Sequence, residues 1–327
     1  MIESITTNDS NRPLQWLVWQ VNLHCPFQCH YCSEFTWGDK KPARFAWDVY
    51  SKAADKIIER YQYGHIEFTG GEPSYFPYME QLIDKFYEAG FTIGVITNLG
   101  KNIEVYNKWV KKLLYICASY HANVIKTDKQ RELWFTKAKT LAKEILMIVR
   151  VLIDPKHWDH CLHVAETLSV EDIWVVEPVR LIQFKENFII NPKTANYLYT
   201  VEQNKIVDRL QVREGEKTIP KVVPTKTILK YPDREETYYK LDTFFAVADL
   251  ARQRQNNFKG WSCDVGIKSI FIEGDGKIAR GSCFANDKKF IGSINEIEKV
   301  QWPTEATTCP YSVCFCDTDM IISKRKI

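Results

Sequence analysis

Trp16-Leu17-Val18-Trp19-Gln20-Val21-Asn22-Leu23-His24-Cys25-Pro26-Phe27-Gln28-Cys29-His30-Tyr31-Cys32 is the stretch on which the reading of this 327-residue chain turns. Residues 17–23 form an apolar run of strand length, so a buried strand is expected there. A loop follows that carries three thiols spaced Cys-x3-Cys-x2-Cys. A helix is expected from about Trp47, because Tyr50, Ala53, Ala54, Ile57 and Ile58 recur at helical spacing.

The same unit repeats downstream. Residues 65–69, 91–97, 115–120, 145–153 and 172–176 read as strands. Helices are expected around Met79, Leu82, Ile83 and Phe86, with Gly90 as a stop, and over 106–113, 129–143 and 157–168. Six successive β/α units imply a parallel sheet with right-handed crossovers. A full eight-fold barrel takes about 250 residues, so a partial barrel or an open doubly wound sheet fits better. Either places ligands at the C-terminal strand ends, and each end here is unusual. After the cysteine loop come Thr69-Gly70-Gly71-Glu72-Pro73, then Thr97-Asn98, then Ser119-Tyr120-His121. Arg150 lies in the fifth strand and Glu177 to Arg180 end the sixth.

Beyond Arg180 the periodicity weakens. A helix is expected near 201–211, two short strands within 221–241 around Tyr231-Pro232-Asp233, and a helix near 243–254. The expected division is 14–182 for the β/α core, 183–260 for a connecting and substrate region, and 261–327 for a small cysteine-rich module. The terminal Lys324-Arg325-Lys326 reads as a solvated tail.

Composition narrows the function. Apolar residues at 45% and charged residues at 26% exclude disorder and low complexity. Lys+Arg 44 against Asp+Glu 41 gives +3, too balanced to indicate a nucleic-acid partner. No run of about 20 apolar residues is present, so no membrane partner is expected. Residues 1–13 lack the pattern of a signal peptide, which makes a reducing cytoplasm the expected compartment. There, ten cysteines are better read as metal ligands than as disulfides. Neither a phosphate-binding P-loop nor a hydrolase motif stands out.

The cysteines cluster. Cys25, Cys29 and Cys32 share one loop, and Cys263, Cys283, Cys309, Cys314 and Cys316 crowd the last quarter. Cys117 and Cys161 read as buried packing residues. Zinc at a structural site takes four protein ligands, and His24 or His30 would complete such a set. Three cysteines on a [4Fe–4S] cluster leave one iron open instead.

The cysteine loop with Tyr31, the Gly70-Gly71-Glu72-Pro73 run after the second strand, Thr97-Asn98, Ser119 with His121, and Arg150 resemble the radical S-adenosylmethionine (radical SAM) superfamily over about residues 14–182. The resemblance implies an α/β fold, a partial (β/α)6 TIM-type barrel followed by a small C-terminal cysteine-rich α+β auxiliary-cluster module. It implies a [4Fe–4S] cluster on Cys25, Cys29 and Cys32 whose open iron binds S-adenosyl-L-methionine. Tyr31, Gly70, Gly71, Glu72, Pro73, Thr97, Asn98, Ser119, His121 and Arg150 are the implied SAM contacts, Glu72 toward the methionyl ammonium and Arg150 toward the carboxylate. An external one-electron reductant of flavodoxin or ferredoxin type would drive cleavage to a 5′-deoxyadenosyl radical that takes a hydrogen atom from substrate.

Residues 268–272 and 277–282 read as a hairpin around Gly274-Asp275-Gly276, which brings Cys263 and Cys283 together. With the later cysteines this looks like a twitch or SPASM-like auxiliary iron–sulfur module. Cys263, Cys283, Cys314 and Cys316 are the expected ligands and Cys309 is held in reserve; a zinc knuckle is the alternative. The implied reaction is peptide or protein modification, the alternative is oxidation of a small molecule such as an amino sugar, and a non-catalytic zinc scaffold is the rival of another class.

Overall fold

The computed structural model describes residues 2–9, 12–32, 41–170, 174–183, 196–197, 199–211, 225–239, 250, 255–314 and 317–327. Six strands, β1 (Trp16–Gln20), β2 (His65–Thr69), β3 (Thr92–Thr97), β4 (Tyr115–Tyr120), β5 (Leu146–Ile153) and β6 (Trp174–Arg180), pair in parallel and in chain order. Between them run α1 (Trp47–Tyr61), α2 (Met79–Glu88), α3 (Ile103–Asn107), α4 (Asp128–Ala142) and α5 (Trp158–Ser169).

This order decides between the two architectures. A doubly wound sheet reverses its strand order at a switch point and carries helices on both faces. Here the order never reverses within the six. Trp19, Phe68, Val95, Ile116 and Val149 bury one face against the apolar stripes of the helices, including Ile57, Phe86, Trp134 and Ala165. The alternate residues Tyr115, Cys117, Ile148 and Val175 form a separate cluster on the opposite face, as a strand period of two requires. With the helices that connect the six strands packed on one face, the fold is α/β with the arrangement of a partial TIM-type barrel. Strand β6 runs on to Arg180 through Pro178, beyond the expected end at 176. It is the edge of the sheet, where a missing N–H is tolerated.

The C-terminal hairpin extends this sheet. Strand β7 (Ser269–Ile272) lies parallel to β1, with Ser269 opposite Trp16 and Ile272 opposite Trp19, and β8 (Lys277–Ala279) and β9 (Phe290–Ser293) follow antiparallel. The expected second hairpin strand stops at Ala279, and Ser282–Asn286 is a short helix. In a second sheet, Ser4–Asp9 pairs with both Thr225–Lys230 and Lys324–Arg325, and Lys324–Arg325 pairs in turn with Ser262–Cys263. Strands therefore cross the boundaries drawn at residues 14 and 261. Of the expected basic tail, Arg325 and Lys326 are exposed, but Lys324 is 4% exposed within a strand. Among the described residues no helix is long and apolar enough to cross a membrane.

His65, at the start of β2, gives the fold a pH dependence. It is buried against the Trp16 ring at 4.1 Å, with Nδ1 3.0 Å from Thr92 Oγ1 and Nε2 3.1 Å from the Tyr115 hydroxyl. Burial pushes its pKa from 6.5 down to about 3. The folded chain thus leaves His65 neutral at pH values where the unfolded chain protonates it. Stability is full above pH 6.5 and falls as the pH drops toward about 3, by about 1.4 kcal/mol per unit. Chemical denaturation between pH 7 and 4 should show a shallower acid slope for His65→Asn than for the wild type; equal slopes would contradict this.

Candidate active site

The cysteine loop is stitched to the end of β2. Val21 N–H donates to Thr69 O at 2.9 Å, Gly71 N–H to Asn22 O at 2.9 Å, and Glu72 N–H to His24 O at 2.8 Å. The Asn22 side-chain amide adds a bond to Glu72 O at 3.1 Å. This contact explains the paired glycines. A Cβ on Gly70, where φ is +142°, would stand 2.5 Å from Asn22 O, and one on Gly71 would stand 2.3 Å from His24 O. Only glycine lets the two backbones come this close.

Glu72 is 1% exposed. Its Oε1 accepts from Ser74 N–H at 3.0 Å and from the Thr97 hydroxyl at 2.6 Å, and its Oε2 accepts from Asn98 N–H at 2.6 Å. Burial raises its pKa, and these donors oppose the rise. The carboxylate thus ties the end of β2 to the end of β3. Asn98 in turn directs its side-chain amide at Cys25 Sγ, 3.6 Å away, and its Oδ1 accepts from Gly100 N–H at 2.7 Å.

The three thiols differ in exposure: Cys29 is buried, Cys25 intermediate and Cys32 exposed. Burial first, then the Glu72 charge and the neighbouring thiols, push Cys25 up to about 12, and burial, then Cys32 and Asp154, push Cys29 up to about 11. The polar side chains of Asn123 and Tyr31 beside it pull Cys29 the other way. His121 Nδ1 lies 3.5 Å from Cys29 Sγ and 2.9 Å from the Tyr31 hydroxyl, while Tyr31 donates to Asn123 Oδ1 at 2.9 Å. Tyr31 has one proton and gives it to Asn123, so the proton between it and His121 sits on Nδ1. Burial holds His121 neutral, with its pKa down to about 4. Neither spare histidine turns toward the thiols: His30 pairs with Asp154 at 3.5 Å, and His24 packs against Tyr75. Asn123 was not foreseen, although it follows His121 by two residues at the same strand end.

On the inner face, Ser119, Arg150 and Glu177 stand side by side on β4, β5 and β6. The Arg150 Nε and Nη2 donate to Glu177 Oε2 at 3.2 and 3.1 Å. The arginine expected to meet a ligand carboxylate thus has a protein carboxylate beside it. Lower in the barrel, the Tyr115 hydroxyl donates to Glu67 Oε2 at 2.6 Å, its ring lying where a Cβ on Gly94 would be.

A second group of thiols is assembled at the other edge. Cys263, Cys283, Cys309 and Cys314 line one cavity together with Asp319 and Lys324. Cys316 lies outside the described residues. Cys283 sits in the first turn of the Ser282–Asn286 helix, and its N–H donates to Asp319 Oδ2 at 3.1 Å, which also accepts from the Ser282 hydroxyl at 2.7 Å. Asn256 holds Cys314 from both sides, accepting its N–H at 2.8 Å and donating to its carbonyl at 2.7 Å. Burial raises the pKa of Cys263, Cys283 and Cys309. Among the described residues no three His, Cys, Asp or Glu side chains converge as a single-ion site. Soft donors spread around one cavity suit a polynuclear cluster. Cys117 and Cys161 are packing residues at 2% and 0% exposure.

Residues 19–128 match the family model described as the radical SAM superfamily. Among solved structures the chain resembles native anSMEcpe with bound AdoMet, at 12% identity over 89% of this chain and 82% of that one, with a TM-score of 0.54. It also resembles Streptococcus suis SuiB bound to precursor peptide SuiA, at 13% identity over 89% of this chain and 65% of that one, with a TM-score of 0.52. At these identities the likeness concerns the fold. No curated protein matches the chain by sequence. The family likeness therefore rests on residues 19–128, about a third of the chain, and the solved structures add a likeness of fold.

Proposed function

We propose that the chain reductively cleaves S-adenosyl-L-methionine at a [4Fe–4S] cluster held by Cys25, Cys29 and Cys32, and takes a hydrogen atom from a peptide or protein substrate. The observation that supports this reading is one loop carrying three thiols, with its own His24 and His30 against Tyr75 and Asp154, so the loop itself offers three thiol ligands. The bound cluster supplies one electron, drawn from an external flavodoxin- or ferredoxin-type donor, for cleavage to methionine and a 5′-deoxyadenosyl radical. Gly70, Gly71, Pro73, Thr97, Asn98, Ser119 and Arg150 line the space for SAM at the strand ends. Tyr31, Glu72 and His121 hold the loop in place. SuiB and anSMEcpe are described with a precursor peptide and a Kp18Cys peptide bound, which supports the peptide class.

The second thiol group is read as the ligand set of an auxiliary [4Fe–4S] cluster. Cys263, Cys283 and Cys314 are common to the proposed set, and either Cys309, which lines the same cavity, or Cys316 completes it. Anaerobically reconstituted protein should therefore hold about eight Fe with matching sulfide. About two Zn and no sulfide would overturn the reading in favour of a zinc scaffold. Cys283→Ala should lose about four Fe while SAM cleavage persists. Whichever of Cys309→Ala and Cys316→Ala also loses about four Fe identifies the fourth ligand.

A further inference from the structure

We propose that Lys324 is the residue that sets the electrical poise of the auxiliary site, raising its reduction potential so that it accepts an electron; this rests on the auxiliary-cluster reading above. The geometry comes from the ladder. Lys324 is the direct cross-strand partner of Cys263, so the two side chains stand on one face about 5 Å apart at Cβ. Both line the cavity that Cys283, Cys309 and Cys314 share.

The ammonium is 4% exposed, and its three hydrogens go to the carbonyls of Asp319, Met320 and Ile322 at 2.9, 2.7 and 2.7 Å. These are neutral acceptors. Among the described residues Lys324 makes no ion pair, and the Asp319 carboxylate is taken by Ser282 and Cys283 instead. The Phe258 ring covers one side at 5.0 Å. A buried charge without a counter-charge is costly, and the cavity is the place where an anion would remove that cost. Four thiolates around a [4Fe–4S]2+ core give a net charge of about −2, and one added electron makes it about −3. A fixed positive charge favours the more negative form. The electron gained would come from the substrate-derived radical in turnover, and from dithionite in a titration.

Lys324→Met, Lys324→Gln and Lys324→Arg, titrated potentiometrically with EPR detection on fully reconstituted protein, test this. The Met and Gln variants should keep about eight Fe, with the auxiliary midpoint lowered by about 59 mV, a tenfold drop in the reduced-to-oxidised ratio at fixed potential. Arg should stay near the wild type, and the couple on Cys25, Cys29 and Cys32 should not move. If Met and Gln lose the second cluster while Arg keeps it, the cavity needs the charge and the proposal stands. Full iron with an unmoved midpoint in Met and Gln overturns it while sparing the auxiliary reading, as does loss of the second cluster in Arg. A wild type with only one cluster overturns the auxiliary reading itself.

Discussion

Cys29→Ala should abolish formation of 5′-deoxyadenosine, a loss of at least about a thousandfold, and remove about four Fe while leaving the auxiliary cluster in place. Cys29 is the buried member of its loop, at 3% exposure, with His121 Nδ1 3.5 Å from its Sγ. Neither His24 nor His30 faces the gap to replace it. The residues around it should matter less. His121→Asn or Asn123→Ala leaves all three thiols present and should cost about 10- to 100-fold, the range typical of groups that orient a ligand. Quantifying iron and 5′-deoxyadenosine in the three variants checks the ordering. A Cys29→Ala protein that retains full iron and turnover would remove Cys29 from the site.

Gly71→Ala should be nearly as damaging, although it changes no charge and removes no ligand. Its Cβ would stand 2.3 Å from His24 O and 2.8 Å from Leu23 C, both backbone atoms that cannot swing aside. The cysteine loop begins at the next residue, so relief of the clash must move Cys25. A displacement of about 1 Å at a catalytic group costs about a hundredfold. Gly90→Ala is the control. Gly90 has a φ of +82° and nothing within 4 Å of the added atom, so it should lose about 1 kcal/mol of stability and little turnover. Equal turnover in both variants would show that the stitching of the loop does not matter to cleavage.

How much of this was legible beforehand depended on whether the signal was local. The switch between strand and helix periodicity marked the six units, and Tyr115–Tyr120 matches its expected bounds because its run of six buried residues is broken cleanly on both sides. The same pattern fits a barrel and a doubly wound sheet equally well; the unreversed strand order and the packing of the connecting helices on one face separated them. The partnership of β7 with β1 joins residues about 250 positions apart and leaves no trace in either segment. Residue type also says nothing of direction. Glu72 invited a ligand's ammonium, yet its carboxylate points to Thr97 and Asn98. Arg150 was read as awaiting a ligand and stands against Glu177, a register neighbour on the next strand. Lys324 looked like solvent-facing charge because three basic residues end the chain, and pairing with Ser4–Asp9 and Ser262–Cys263 is what buries it.

The most direct test is to reduce the anaerobically reconstituted protein with dithionite, add S-adenosyl-L-methionine, and quantify 5′-deoxyadenosine and methionine. The wild type should release both in equal amounts, and the Cys25, Cys29 and Cys32 alanine variants should release neither. Iron-replete wild-type protein that leaves S-adenosyl-L-methionine intact, or a triple variant that still cleaves it, would contradict the account.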